Sequence, residues 1–191
     1  LRPVPGYWGT PADSATSGFE QDLARLLAER LKLDSVEVVQ SDFNKIGRGD
    51  LAGADLALTQ MSPTKARAKF VDFSDPYLTA PPGVLSRKGL DVADAADLKK
   101  LRWVVVPTST LTSMVTDQIG PKDTPKRVAD TPTAIETIVR GEADAILLDL
   151  PSAQAEALAK PNSFEVSGQL GGSEGIAAAL PNQSNNLEIV D

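Results

Sequence analysis

The sequence predicts an α/β chain folded as two lobes, each a mostly parallel sheet with flanking helices. Three observations predict it. Short apolar runs of strand character alternate with segments of helical periodicity, the pattern of βα units joined by right-handed crossovers. Two breaks rich in proline or glycine, residues 79–83 and 168–175, interrupt that alternation. After the second break an apolar run, residues 176–180, re-enters the first part as a strand. The expected organisation is 1–80 with 176–191 as the first lobe, 84–170 as the second, and crossings at 81–83 and 171–175.

In chain order, residues 1–17 are a loop of proline, glycine and small polar residues carrying one aromatic pair, Tyr7 and Trp8. Ser17 is placed to cap a helix, with Glu20 three residues on reaching back in a capping box. Phe19, Leu23, Leu26, Leu27 and Leu31 then form the apolar stripe of that helix, which ends near Lys32, while Asp22 reads as a solvated or capping carboxylate. Residues 36–39 read as a strand, 43–50 as a short helix or loop, and 55–58 as a buried strand. Residues 79–83 form a rigid, turn-prone break before Val84 and Leu85. In the second lobe, 94–100 is a short helix, 103–106 a buried strand, and Ser109 with Thr110 starts a helix running to Ile119. Thr131 caps the next helix with Pro132 at its first position, Ile135, Ile138 and Val139 face the core, and Gly141 closes it. Residues 145–148 form a strand with Asp149 at its carboxyl end, and 151–160 a helix.

Composition narrows the chemistry. The 191 residues are 41% hydrophobic, enough for a real core, and no apolar run approaches the ~20 residues that span a bilayer. A formal charge of −7 without any basic block argues against nucleic acid or anionic lipid as partners. The chain has neither cysteine nor histidine, which excludes disulfides, thiolate or imidazole metal sites and the Ser-His-Asp triad. No cofactor and no metal are expected.

The densest polar chemistry follows the strand at 55–58. Gln60, Ser62, Thr64 and Arg67 stand just beyond its carboxyl end, where open α/β sheets hold ligands. The planar donor fork of Arg67 matches a carboxylate in bidentate geometry, and Ser62 adds a neutral donor. The plainer reading is a solvated helix charge at Arg67 beside core aromatics Phe70, Phe73 and Tyr77.

This run, Met61-Ser62-Pro63-Thr64-Lys65-Ala66-Arg67 followed by Asp72-Phe73-Ser74-Asp75-Pro76-Tyr77, resembles the signature of the bacterial extracellular solute-binding proteins of family 3, which serve polar amino-acid ABC importers. Gly18-Phe19-Glu20-Gln21-Asp22-Leu23-Ala24 is similar to the family's "GFDVDLA", and residues 141–149 to its "GxxDAxxxD". Thr108-Ser109-Thr110 occupies the place of its "GST", although Pro107-Thr108 departs from the usual Gln-Gly. The "YPPF" pattern of the first loop is absent.

The resemblance implies a type II periplasmic-binding-protein fold that closes on an α-amino acid or close analogue between its lobes. By the same resemblance Arg67, Ser62, Ser109 and Thr110 hold the ligand's carboxylate, Asp149 takes its ammonium, and Tyr7 or Trp8 meets its side chain; Gln60 lies beside them. The bland alternatives are a helix cap at Asp149 and aromatics packed under the loop at Tyr7 and Trp8. It further implies a monomer working with the membrane permease of an ABC transporter, outside the cytoplasm in the periplasm or at the cell surface, with a signal peptide and a lipid anchor among family features. Helices beyond Asp191 belong to the family pattern. Two rival functions use the same fold: the sensing domain of a receptor or channel, and a dehydratase or lyase. The latter needs a carboxylate or lysine of tuned pKa beside the reacting carbon, and no second carboxylate pair stands out, so the chain reads as a binding protein and not an enzyme.

Overall fold

The computed structural model of the protein describes residues 6–8 and 18–184. Their elements run α1 (Phe19–Arg30), α2 (Phe43–Ile46), β1 (Val71–Phe73), β2 (Leu78–Ala80), β3 (Pro82–Arg87), α3 (Ala95–Leu98), β4 (Val104–Val105) and α4 (Leu111–Met114). They continue with β5 (Lys126–Arg127), α5 (Thr131–Val139), β6 (Ala145–Asp149), α6 (Leu150–Ala159), β7 (Phe164–Gln169), β8 (Glu174–Ile176) and β9 (Ala179–Pro181). The chain divides into two compact units, Leu1–Thr79 with Glu174–Asp191, and Ala80–Ser173.

In the second unit β3 lies between β6 and β7 and pairs antiparallel with both. Successive side chains in a strand point to opposite faces, and here both faces are buried. Val84, Trp103, Val105, Ala145 and Leu147 pack on one face with Leu98 of α3, Leu111 of α4, and Val115 and Ile119 beyond it. Leu85, Val104, Val106 and Ile146 face the other way, onto Ala134, Ile135 and Ile138 of α5 and Ala153 of α6. Hence the near-continuous apolar runs. At Gly83 an added Cβ would stand 3.0 Å from the Leu150 Cα and 3.2 Å from the Ala153 Cβ, so glycine there lets α6 lie directly on β3.

The first unit is smaller in regular structure. β1 and β9 pair antiparallel, with Asp72 opposite Leu180, and Ala57 forms an isolated bridge to Ala179. Ile46, Leu51, Ala57, Met61, Val71 and Ala179 make one cluster. Leu58, Ala178 and Leu180 make a second, covered by Trp8, Leu23, Ala24 and Tyr77.

Several expectations change. Parallel pairing joins β4 to β5 and Trp103 to Ala145, whereas the central β3 of the second unit runs antiparallel to both β6 and β7, and β1 antiparallel to β9, so neither unit is the mostly parallel sheet expected. Residues 36–39 form no strand; Val36, Val38 and Val39 are exposed, since β propensity without a hydrogen-bonding neighbour does not make a ladder. The strand expected at 55–58 shrinks to the single bridge at Ala57, bounded by the left-handed turns at Ala52, Gly53 and Gln60. Residues 79–83 are not a break, for β2 and β3 run through them with Pro82 at a strand's first position, where its missing N–H is tolerated. Likewise Gly168 lies inside β7.

Caps shift too. Asp130, not Thr131, caps α5 by accepting from the Thr133 N–H at 2.8 Å, and Val139 is exposed. On α1 Phe19 and Leu26 are exposed, while Glu20, Gln21 and Ala28 are buried. The expected cap, Ser17, lies outside the described residues, and Gly18 holds the N-cap position without a side-chain bond.

Candidate ligand-anchoring site

In the first unit the residues expected to take a carboxylate lie beside two carboxylates of the chain itself. Arg67 opens a short 3-10 turn and is half-buried. Its guanidinium donates to the Ser62 carbonyl at 2.7 Å and lies 5.1 Å from the centre of the Phe43 ring. Burial lowers its pKa, and the charge of Glu174 opposes that shift, so the group stays a cation held in a partly desolvated setting. The Ser62 hydroxyl donates to Glu174 Oε2 at 3.1 Å.

The second carboxylate is Glu20, with no exposed surface. It does not reach back to cap α1. Its side chain turns inward and accepts from the Trp8 indole N–H (2.7 Å), the Gln60 backbone N–H (2.7 Å), the Tyr77 hydroxyl and the Gln60 side-chain amide. Burial raises its pKa, and the bonds from Tyr77, Gln60 and Trp8 pull the other way. Burial raises the Tyr77 phenol as well, with the neighbouring Glu20 charge adding to it. A charge-assisted network of this kind fixes Gln60 in its left-handed turn, φ 48°, and thereby aims the segment leading to Ser62.

The structure therefore brings Arg67, Ser62, Gln60 and Trp8 into one unit, tied by Glu20 and Glu174. Tyr7 is 2% exposed and packs edge-on to Phe19, which leaves its ring no open face. Trp8 is half-buried, with its indole N–H also 3.0 Å from the Leu58 carbonyl.

The second unit holds the remaining predicted residues. Thr110 is the N-cap residue of α4 without a side-chain cap bond, and Ser109 Oγ accepts from the Leu111 N–H at 3.3 Å. Asp149 caps α6, accepting from the Ser152 N–H at 2.9 Å and the Ser152 hydroxyl at 2.7 Å. No group of three or more acidic residues that could hold a metal ion occurs among the described residues.

Sequence reasoning missed Glu20 as a buried node and Glu174 altogether. Glu20, Ala24, Leu27 and Ala28 recur at helical spacing, so an acid on an inward stripe was the available signal for the first. Nothing local marks Glu174.

A family model for bacterial extracellular solute-binding proteins, family 3, matches residues 4–164. The arginine-binding extracellular protein ArtP of Bacillus subtilis is 39% identical over 83 residues, 43% of this chain and 32% of that protein. A probable histidine-binding protein of Neisseria gonorrhoeae is 30% identical over 137 residues, 69% of this chain and 50% of that protein. The chain thus spans a third to a half of these relatives. A solved structure of an arginine-bound mutant of ArgBP from T. maritima superposes with a TM-score of 0.74 at 28% identity, covering 91% of this chain and 81% of that one.

Proposed function

The chain belongs to the bacterial extracellular solute-binding proteins of family 3, with their type II periplasmic-binding α/β fold, and from that premise we propose that it captures an α-amino acid outside the cytoplasm for an ABC importer. The observation that carries this reading is the half-buried Arg67 guanidinium beside the Ser62 hydroxyl, a cation and a neutral donor set to take a carboxylate. Trp8 and Gln60 border the ligand's side chain, Ser109 and Thr110 add donors, and Asp149 accepts from the ammonium.

The protein acts as a monomeric, non-enzymatic receptor that hands its ligand to a membrane permease, held in the periplasm or by a lipid anchor at the cell surface. The names of its arginine- and histidine-binding relatives make L-arginine and L-histidine the first ligands to test. Calorimetric titration of the full chain with these and other L-amino acids tests the reading, with Arg67→Ala beside it. Removing one partner of a desolvated charge pair weakens binding by roughly 30- to several-thousand-fold. A loss below about threefold, in a variant that melts like the parent, returns Arg67 to a solvated charge.

A further inference from the structure

We infer that Glu20 is a positioning residue for ligand selection: it turns the Gln60 amide NH2, the Trp8 indole N–H and the Tyr77 hydroxyl inward, so the ligand's side chain meets the Gln60 carbonyl oxygen and a ring face. That surface favours a side chain that donates hydrogen bonds or carries positive charge, and it rejects an acidic one. Resting on the amino-acid reading above, this deepens it by assigning the chemical class of side chain that the first unit accepts.

An ionised carboxylate only accepts, and four donors converge on Glu20, two on each oxygen. Oε1 takes the Gln60 backbone N–H at 2.7 Å and the Tyr77 hydroxyl, while Oε2 takes the Trp8 indole N–H at 2.7 Å and the Gln60 side-chain amide. The Trp8 and Gln60 backbone N–H groups cannot become acceptors, so the set fits the ionised form. That form dictates which way round the Gln60 amide sits. Its carbonyl oxygen, placed against Glu20, would oppose two acceptors where no exposed surface is left for water to separate them. The NH2 therefore faces Glu20 and the oxygen faces the other way. Gln60 is half-buried, and among the described residues nothing donates to that oxygen.

The backbone leaves this side chain one orientation. Gln60 sits at φ 48°, in the left-handed region, and its own N–H ends on the same carboxylate as its side chain. Trp8 is fixed likewise, since its indole N–H is shared between Glu20 and the Leu58 carbonyl at 3.0 Å, which turns its polar edge inward. The Tyr77 hydroxyl is turned in too, with its ring 6.0 Å from that of Phe19. Ring faces attract cations and offer a carboxylate nothing. An acidic side chain here meets an acceptor, ring faces and a buried negative charge behind them; a guanidinium or amide NH2 meets an acceptor it can bond.

Calorimetry at pH 8 compares L-arginine, L-glutamine and L-glutamate on the full chain and on Glu20→Gln, with circular-dichroism melts to establish folding. Wild type is expected to bind L-arginine and L-glutamine more tightly than L-glutamate. In Glu20→Gln the Gln60 oxygen turns toward the new NH2 group and the Gln60 NH2 turns outward, so that preference is expected to narrow roughly three- to tenfold, the effect of one ordinary hydrogen bond. A merely structural Glu20 weakens all three ligands by the same factor, so an unchanged ratio overturns the inference. Gln60→Leu keeps Glu20 and removes the oxygen. It is expected to narrow the ratio as well, and adding Glu20→Gln to it to narrow it no further, because both act through one amide. An unchanged ratio in Gln60→Leu, read alone if Glu20→Gln does not fold, or full additivity of the two changes, overturns the route through Gln60. A wild type that prefers L-glutamate overturns the inference and sustains the amino-acid reading, whereas no binding of any amino acid to any form overturns both.

Discussion

Replacing Glu20 with alanine is expected to destabilise the first unit by about 3 kcal/mol. Four donors converge on this buried carboxylate, and they are not equally dependent on it. The Trp8 indole keeps the Leu58 carbonyl at 3.0 Å, so its loss is small. The Gln60 backbone N–H, the Gln60 side-chain amide and the Tyr77 hydroxyl lose the acceptor this network provides; at about 1 kcal/mol for each partly buried orphan the three sum to about 3 kcal/mol. For a chain of this size that lowers Tm by about 6–12 °C. Glu20→Gln is expected to lose less than half as much, because the new carbonyl still accepts from Gln60 N–H while the Gln60 amide turns its own oxygen toward the new NH2 group. Urea unfolding of the three proteins at pH 7, followed by circular dichroism, gives both numbers. A loss below about 1 kcal/mol for Glu20→Ala, or equal losses for the two variants, refutes the idea that this acceptor set organises the segment up to Ser62.

The same residue gives a pH dependence of defined sign. Burial holds the folded-state pKa of Glu20 above its usual 4.5, so the folded form binds the proton more tightly and the Glu20 contribution to stability rises as pH falls through that raised value toward 4.5; the stability of wild type relative to Glu20→Gln is expected to improve over that window in paired melts. Glu142 behaves oppositely: bonds from Lys126 and Arg140 lower its pKa to about 2, so its contribution is present above 4.5 and is lost as pH falls through about 2, and Glu142→Gln is expected to flatten that part of the acid profile. Asp149→Ala removes the cap of α6 and is expected to cost about 1 kcal/mol in thermal melts without ligand; if the ligand's ammonium also uses Asp149, the ratio of affinities for an amino acid and its des-amino analogue collapses in the variant, and an unchanged ratio assigns the ammonium elsewhere.

The second unit was the more legible in sequence, for a physical reason. Its strands are buried on both faces, so Trp103, Val104, Val105 and Val106, and then Ala145, Ile146 and Leu147, read as unbroken apolar runs, and the start of α5 was placed within one residue, at Thr131 instead of Asp130. The first unit gave weaker signals. The run at 36–39 has the composition of a strand and no ladder, because composition does not supply a neighbour. Phe19 and Leu26 fit a helical stripe by spacing, yet the inward face of α1 is the one about 100° round the helix that carries Glu20, Ala24 and Ala28. A stripe drawn through the largest apolar residues misses a face built on small residues and a bonded acid.

The same limit governs the anchor. Arg67 and Ser62 are neighbours in sequence, and a donor fork next to a hydroxyl is legible without coordinates. Their acidic partners are not: Glu174 lies 112 positions from Ser62, and Glu20 lies 40 from Gln60. Sequence spacing can therefore locate where a carboxylate is wanted while remaining blind to the carboxylates already there. The two differ in how completely they are enclosed. Glu20 is closed by four donors and has no exposed surface, so moving it means breaking the unit's polar core. Glu174 is half-buried and accepts from the Ser62 hydroxyl, a contact formed only once β8 has returned beside the segment that carries Ser62.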